Sequence, residues 1–218
     1  MNTDDTFIAV EEKIIALAKK SSDALKKQTD IRVLEMDEDD TSHFLLYKVL
    51  GISDEEGRLI DLYQNKGRFL YKYAGSFLEE ATKICFLFAF SDAGKTIIPN
   101  TLGSKPKTFE IDCLVEKRDA IEIKWRDATT DGDHITKEHT RIKVIAEAGY
   151  KPIRVMFYYP NRAQAIKIQR TLETLYAGVN GEYYFGASAW KYVQDRTKID
   201  LKSILERIAA KNDKVDKI

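Results

Sequence analysis

The chain has 218 residues, 44% of them hydrophobic, with 35 Lys plus Arg against 35 Asp plus Glu. That is enough apolar material for one domain with a substantial core, and too even a charge balance for a protein that coats nucleic acid unselectively. No apolar run reaches membrane-spanning length, and Asp4 and Asp5 stand where the basic region of a signal peptide would lie. A cytoplasmic protein with no membrane partner is expected, its two cysteines, Cys85 and Cys113, being buried free thiols in apolar surroundings.

In chain order, Val10, Ile14, Leu17 and Ala18 form one stripe of an amphipathic helix from about Phe7 to Lys27. His43 to Leu50 and Ser53 to Tyr63 predict two more helices, the second with a Ser53 cap and an acidic first turn. Gln64 to Arg68 reads as a polar loop carrying Lys66 and Arg68, and Phe69 to Phe90 as one or two helices interrupted near Gly75. A hairpin of two strands follows at roughly 107 to 126, then a loop of small polar residues from Arg126 to His134. Asp133 reads as the cap of a helix ending at Gly149, with Ile135, Ile142, Ile145 and Ala148 inward. Pro152 to Tyr159 predicts a buried strand. A helix from Pro160 to Gly178 comes next, with Ala165, Ile168, Leu172 and Leu175 facing the core. The run Tyr183-Tyr184-Phe185 is expected to pack a C-terminal arm, Leu201 to Ile208 forms a last helix, and the Lys- and Asp-rich tail from Ala209 should fray. The expected class is α/β, a central mixed sheet flanked by helices. One domain is divided into a helical arm (1–68), a core (69–177) and a C-terminal arm (178–218).

The chemistry concentrates in the hairpin. Phe109 to Val115 and Ala120 to Trp125 are apolar strands joined by a charged turn, interrupted by Asp112 on the first and by Glu122 and Lys124 on the second. Alternation puts Glu122 and Lys124 on one face, with Ile121, Ile123 and Trp125 on the other. An antiparallel neighbour brings Asp112 beside Glu122. Two carboxylates in one small volume repel and call for a cation, and Mg²⁺ is the usual oxygen-liganded choice. A lysine one step along adds positive charge where a phosphodiester under attack by water would need it. A Glu-x-Lys triplet alone is common on solvated strands; the apolar setting and the upstream Asp112 distinguish this one.

Asp112, nine residues, then Glu122-Ile123-Lys124 resembles the PD-(D/E)xK nucleases, which include most type II restriction endonucleases. Ile111 stands where the motif's proline would be, a frequent departure. Gly75-Ser76-Phe77-Leu78-Glu79 resembles the family's upstream helical acid, with Glu80 as the alternative. The resemblance covers roughly residues 69 to 175, and the segment from Lys124 to Pro160 resembles ApaLI-like restriction enzymes, whose target is GTGCAC. It implies a restriction-endonuclease-like core and a Mg²⁺-dependent type II endonuclease that cuts double-stranded DNA at a short palindrome as a homodimer. It further implies metal ligation by Asp112, Glu122 and the Ile123 carbonyl. Lys124 would act on the attacking water and the phosphate, and Glu79 would support a second or hydrated ion. Lys137 and Arg141, four apart on one helix, could both reach a phosphate backbone or could be a solvated face paired with Glu138. Arg126, Lys66 and Arg68 are further phosphate contacts, while His134 and His139 read as ordinary polar residues. A structure-specific or repair nuclease, and a silent DNA-binding module, are the alternative functions.

Overall fold

In the computed structural model, which describes residues 3–126 and 132–215, the elements run α1 (Thr3–Asp37), α2 (Phe44–Val49), α3 (Asp54–Ala89), β1 (Gly94–Pro99), β2 (Thr108–Val115) and β3 (Asp119–Lys124). They continue with α4 (Gly132–Glu147), β4 (Lys151–Met156), α5 (Ala163–Ala177), β5 (Glu182–Phe185), α6 (Ala187–Thr197) and α7 (Leu201–Val215). The class is the mixed α/β expected. The chain divides into two compact units, one of residues 1–15 with 78–218 and one of residues 16–77.

The smaller unit is wholly helical. Arg58 pairs with Asp37, Arg32 donates to Asn65 at 3.2 Å, and Tyr47 donates to Asp61 at 2.9 Å, tying α1, α2 and α3 together. Ser53 caps α3 by accepting from the Glu56 N–H at 3.2 Å, as its sequence foretold. The loop expected at Gln64 to Arg68 and the interruption expected at Gly75 are absent, because α3 runs unbroken through both. Each glycine costs a helix about 1 kcal/mol. The helix outlasts that cost because Asn65 turns its polar side chain back onto the Asp61 carbonyl at 2.9 Å, and because its last turns bury Leu78, Ala81, Cys85 and Phe86. Lys66 and Arg68 therefore lie on a helix of the smaller unit rather than on a loop.

The larger unit is built on one five-stranded mixed sheet of order β1-β2-β3-β4-β5. The first three strands are antiparallel neighbours, and β3, β4 and β5 run parallel. The three-residue β2–β3 loop has Glu116 and Lys117 at φ 54° and 48°, the left-handed pair at the centre of a tight turn that the Arg118 N–H closes by donating to the Val115 carbonyl at 3.0 Å. Tyr183 and Tyr184 show how the layers are arranged. Alternation along β5 sends Tyr183 to α5, edge-on to Tyr176 at 5.9 Å, and Tyr184 to α6, stacked on Tyr192 at 4.4 Å. So α4 and α5 cover one face; α6 covers the other, joined there by α3 through Phe86 and Tyr192. On the α4 side Ile98, Phe109, Ile111, Leu114 and Ala120 pack against Val144 and Ile145.

Strand β2 is irregular at the point that matters. Gly94 pairs with Leu114 and Thr96 with Ile111, so Lys95 alone faces both Asp112 and Cys113. This is a β-bulge, a device that re-aims side chains. The outer strands β1 and β5, not foreseen as strands, complete the sheet. The tail expected to fray is helical to Val215. Residues 127–131 lie outside the described residues, as do the side chains of Asp133 and His134. Helix α4 begins at Gly132, so Asp133 is inside it rather than at its cap.

Candidate active site

Register brings the hairpin carboxylates together. Cys113 pairs with Ile121 and Leu114 with Ala120, so continuing the ladder sets Asp112 against Glu122. At the bulge Asp112 turns one carboxylate oxygen onto the Ile123 N–H at 2.8 Å, closing the ladder with a side chain instead of a backbone carbonyl. Lys124, two residues beyond Glu122 on the same face, bonds Glu122 Oε1 and stands 3.8 Å from Asp112 Oδ2. The Asp112 and Glu122 side chains are 10% and 9% exposed, whereas a third of the Lys124 side chain is open to solvent. The cluster sits at the end of β3, buried on the carboxylate side and accessible on the ammonium side.

Position fixes the electrostatics. Burial pushes the Asp112 carboxyl up to about 7, helped by the neighbouring Glu122 charge and opposed by Lys124. Burial would raise Glu122 too, but Arg141, Lys124 and Arg154 outweigh it and hold Glu122 well below the usual carboxylate range. For Lys124, the charges of Glu122 and Asp112 outweigh burial and keep the ammonium protonated above the ordinary lysine value. Lys124 is thus a cation standing between two acids. Hard oxygen donors already gathered around a positive charge are a set that Mg²⁺ also fits, since it takes one or two carboxylates and completes its shell with water and phosphate.

A family model for ApaLI-like restriction endonucleases matches residues 2–210. The chain belongs to that family. No curated protein and no solved structure matches it. As an ApaLI-like restriction endonuclease it is a nuclease.

The other sequence-derived residues fall into distinct places in this ApaLI-like chain. Ile123 lies between Glu122 and Lys124 with its side chain in the opposite core. Glu79, on α3, is 3.1 Å from Lys83, and among the described residues no group of three acidic, His or Cys side chains gathers around one point, so Glu79 does not join Asp112 and Glu122. Lys137 and Arg126 are exposed, the Arg126 guanidinium 5.7 Å from the Trp125 ring. Arg141 departs from expectation. It is only 8% exposed and does not share a solvated face with Lys137. Its guanidinium bonds Glu122 Oε2, donates to the Glu110 carbonyl at 2.8 Å and reaches Glu138 at 3.4 Å.

Two partners of this arrangement, Arg154 and Tyr176, were not read from the sequence, and Glu138 was read only as the partner of a solvated face rather than as a buried one. Glu138 Oε1 accepts from Arg154 at 3.1 Å and from the Tyr176 hydroxyl at 2.6 Å. Arg154 sits beside Glu122 in the parallel β3–β4 ladder and 5.9 Å from the Tyr183 ring. A signal for them existed. Glu138 and Arg141 occupy the same i, i+3, i+4, i+7 stripe as Ile142 and Ile145, and Arg154 stands inside an otherwise apolar strand. Charged residues at core positions are buried pairs in waiting.

Proposed function

We propose that this chain is a Mg²⁺-dependent type II restriction endonuclease of PD-(D/E)xK chemistry, cutting both strands of DNA at a short palindrome. The observation that carries this reading is Lys124 held between Asp112 and Glu122 at the end of β3 in a chain of restriction-endonuclease family. Asp112, Glu122 and the Ile123 carbonyl would hold the ion, and a hydrated-ion-orienting role is the one open to Glu79. When bound, Mg²⁺ supplies Lewis-acid activation of water and neutralises phosphate charge. Glu122, kept ionised by its basic neighbours, presents an oxygen at any pH the cell provides. Lys124, with its ammonium partly open to solvent, would act on the attacking water and on the charge building on the phosphate. Lys137, Arg126, Lys66 and Arg68 are proposed phosphate contacts, which set position rather than sequence.

Cutting two strands of a symmetric site takes two such centres related by a two-fold axis, which makes a homodimer the working assembly. A cytoplasmic location follows from the substrate and from two free thiols. Among the described residues no helix is long and apolar enough to cross a membrane.

The test is digestion of unmethylated phage DNA, and of a duplex containing GTGCAC, with the purified protein in Mg²⁺, in Ca²⁺ and after chelation. Lys124→Ala is run alongside. Discrete bands that need Mg²⁺ and disappear in the variant support the proposal, and sequencing the ends gives the site. A smear, or cutting confined to branched DNA, would replace it with a structure-specific nuclease; intact DNA throughout would leave a binding module.

A further inference from the structure

Beyond the acid pair and the lysine, four buried charges close a ring of alternating sign: Glu122 on β3, Arg141 and Glu138 on α4, and Arg154 on β4. Glu122 and Arg154 are lateral neighbours in the sheet, and the α4 pair bridges them from above. Each member is at most 8% exposed, and the ring carries no net charge. An unpaired charge at this depth would be costly, so Arg141 holds Glu122 and Glu138 in place, and Glu138 in turn holds Arg154. Arg141 spends its donors on three fixed acceptors: Glu122, Glu138 and the Glu110 carbonyl. Glu138 is in turn fixed by Arg154 and Tyr176. Only one member of the ring touches the reactive cluster, and it does so with one oxygen: Glu122 gives Oε2 to Arg141 and Oε1 to Lys124.

We infer that Arg141 is a positioning residue that makes Glu122 a one-oxygen ligand, retaining Oε2 in the ring and leaving Oε1 for the cation. The inference rests on the nuclease reading above and adds to it. A carboxylate free to rotate would present either oxygen, or both, to an ion. Tethered on one side by a bidentate-capable guanidinium, it presents a single oxygen in a fixed direction. Residues that orient a ligand in this way typically carry 10–100-fold in metal affinity or activity. The same tether removes Arg141 from DNA, because its guanidinium is occupied and buried.

The experiment compares full-length wild type with Arg141→Met, Arg141→Lys and Glu138→Gln. It follows DNA affinity in Ca²⁺ across salt concentrations, Ca²⁺ binding to the DNA-free protein by calorimetry, and cleavage against Mg²⁺ concentration at saturating DNA. Arg141→Met should leave DNA affinity and its salt slope unchanged, weaken Ca²⁺ binding about 10–100-fold, and lower kcat with a higher Mg²⁺ requirement. Arg141→Lys should restore part of the Mg²⁺ affinity, and Glu138→Gln should shift the Mg²⁺ requirement in the same direction by a smaller factor. A loss of DNA affinity with a salt slope reduced by about one, and normal kcat at saturation, would make Arg141 a phosphate contact and overturn the inference. Unchanged Ca²⁺ affinity and Mg²⁺ dependence in Arg141→Lys and Glu138→Gln would overturn it too, even if Arg141→Met does not fold by circular dichroism. Should wild type cut no DNA, the nuclease reading falls alone, and the Ca²⁺ titrations still decide the role of Arg141.

Discussion

Replacing Lys124 with Met separates two roles that the wild-type site combines. The ammonium bonds Glu122 and lies 3.8 Å from Asp112 Oδ2, so an incoming divalent cation competes with it for both carboxylates. At an effective dielectric constant of about 20, unit charges at that separation interact by about 4 kcal/mol. A third of the Lys124 side chain is solvent-exposed, and a displaced ammonium recovers hydration, which reduces the net competition to about 1–2 kcal/mol. Lys124→Met should therefore bind Ca²⁺ roughly 5–30-fold more tightly than wild type, measured by calorimetry on the DNA-free protein at pH 8. Cleavage in Mg²⁺ should fall by about 100–1000-fold or more, because charge stabilisation at the phosphate is lost. The variant becomes a better ion binder and a worse enzyme. Weaker Ca²⁺ binding in the variant would show that Lys124 assembles the carboxylates rather than competing for them, and retained cleavage would remove it from the chemistry; either result refutes the reasoning.

Arg141 and Arg154 outweigh burial and hold the Glu138 carboxyl below its ordinary value of 4.5. Its contribution to stability is thus present above that value and lost as pH falls through the lower folded-state one. Thermal melts should show wild type losing stability more steeply than Glu138→Gln below about pH 5, with the variant about 3 kcal/mol less stable at pH 7; parallel profiles would contradict this. A Cβ at Gly181 would meet the Pro152 carbonyl oxygen at 2.5 Å, and backbone cannot swing aside as a side chain does. Gly181→Ala should cost about 1–3 kcal/mol and lower the melting temperature by roughly 2–10 °C. Burial pushes both the Cys85 and Cys113 thiols up to about 12. A chromogenic disulfide reagent should accordingly titrate neither in the folded protein and both in denaturant.

Much of the site was readable because its residues violate a pattern. Asp112, Glu122 and Lys124 interrupt two apolar strands, and a period-two reading assigned the last two to one face correctly. Arg141 was harder, since two basic residues four apart on a helix usually face water; only its coincidence with the stripe of Ile142 and Ile145 marks it as internal. Polar Gln64 to Arg68 and Gly75 look like breaks, yet propensity is a weak prior, and α3 runs through them under the pull of packing at its far end. The edge strands escaped for different reasons. β1 is six residues, ending in a proline that an edge tolerates, and β5 is four residues whose aromatics serve two opposite layers.

The bulge in β2 has a consequence for how this strand can change. Phe109 and Ile111 on one side of it and Leu114 on the other reach the same core although their spacing switches from even to odd. Asp112 and Cys113 therefore behave as a single unit of length: each can be exchanged for another residue, but neither can be removed by itself. Deleting one would restore an unbroken ladder in which Phe109, Ile111 and Leu114 still alternate into the core, but the single residue left between Ile111 and Leu114 would face the opposite side of the sheet, taking a carboxylate there away from Glu122 and Lys124. A carboxylate installed by substitution in a regular strand would have to choose between the two faces. Here an extra residue frees it from that choice, so the strand's reading frame is as much a determinant of the site as the identity of its acid.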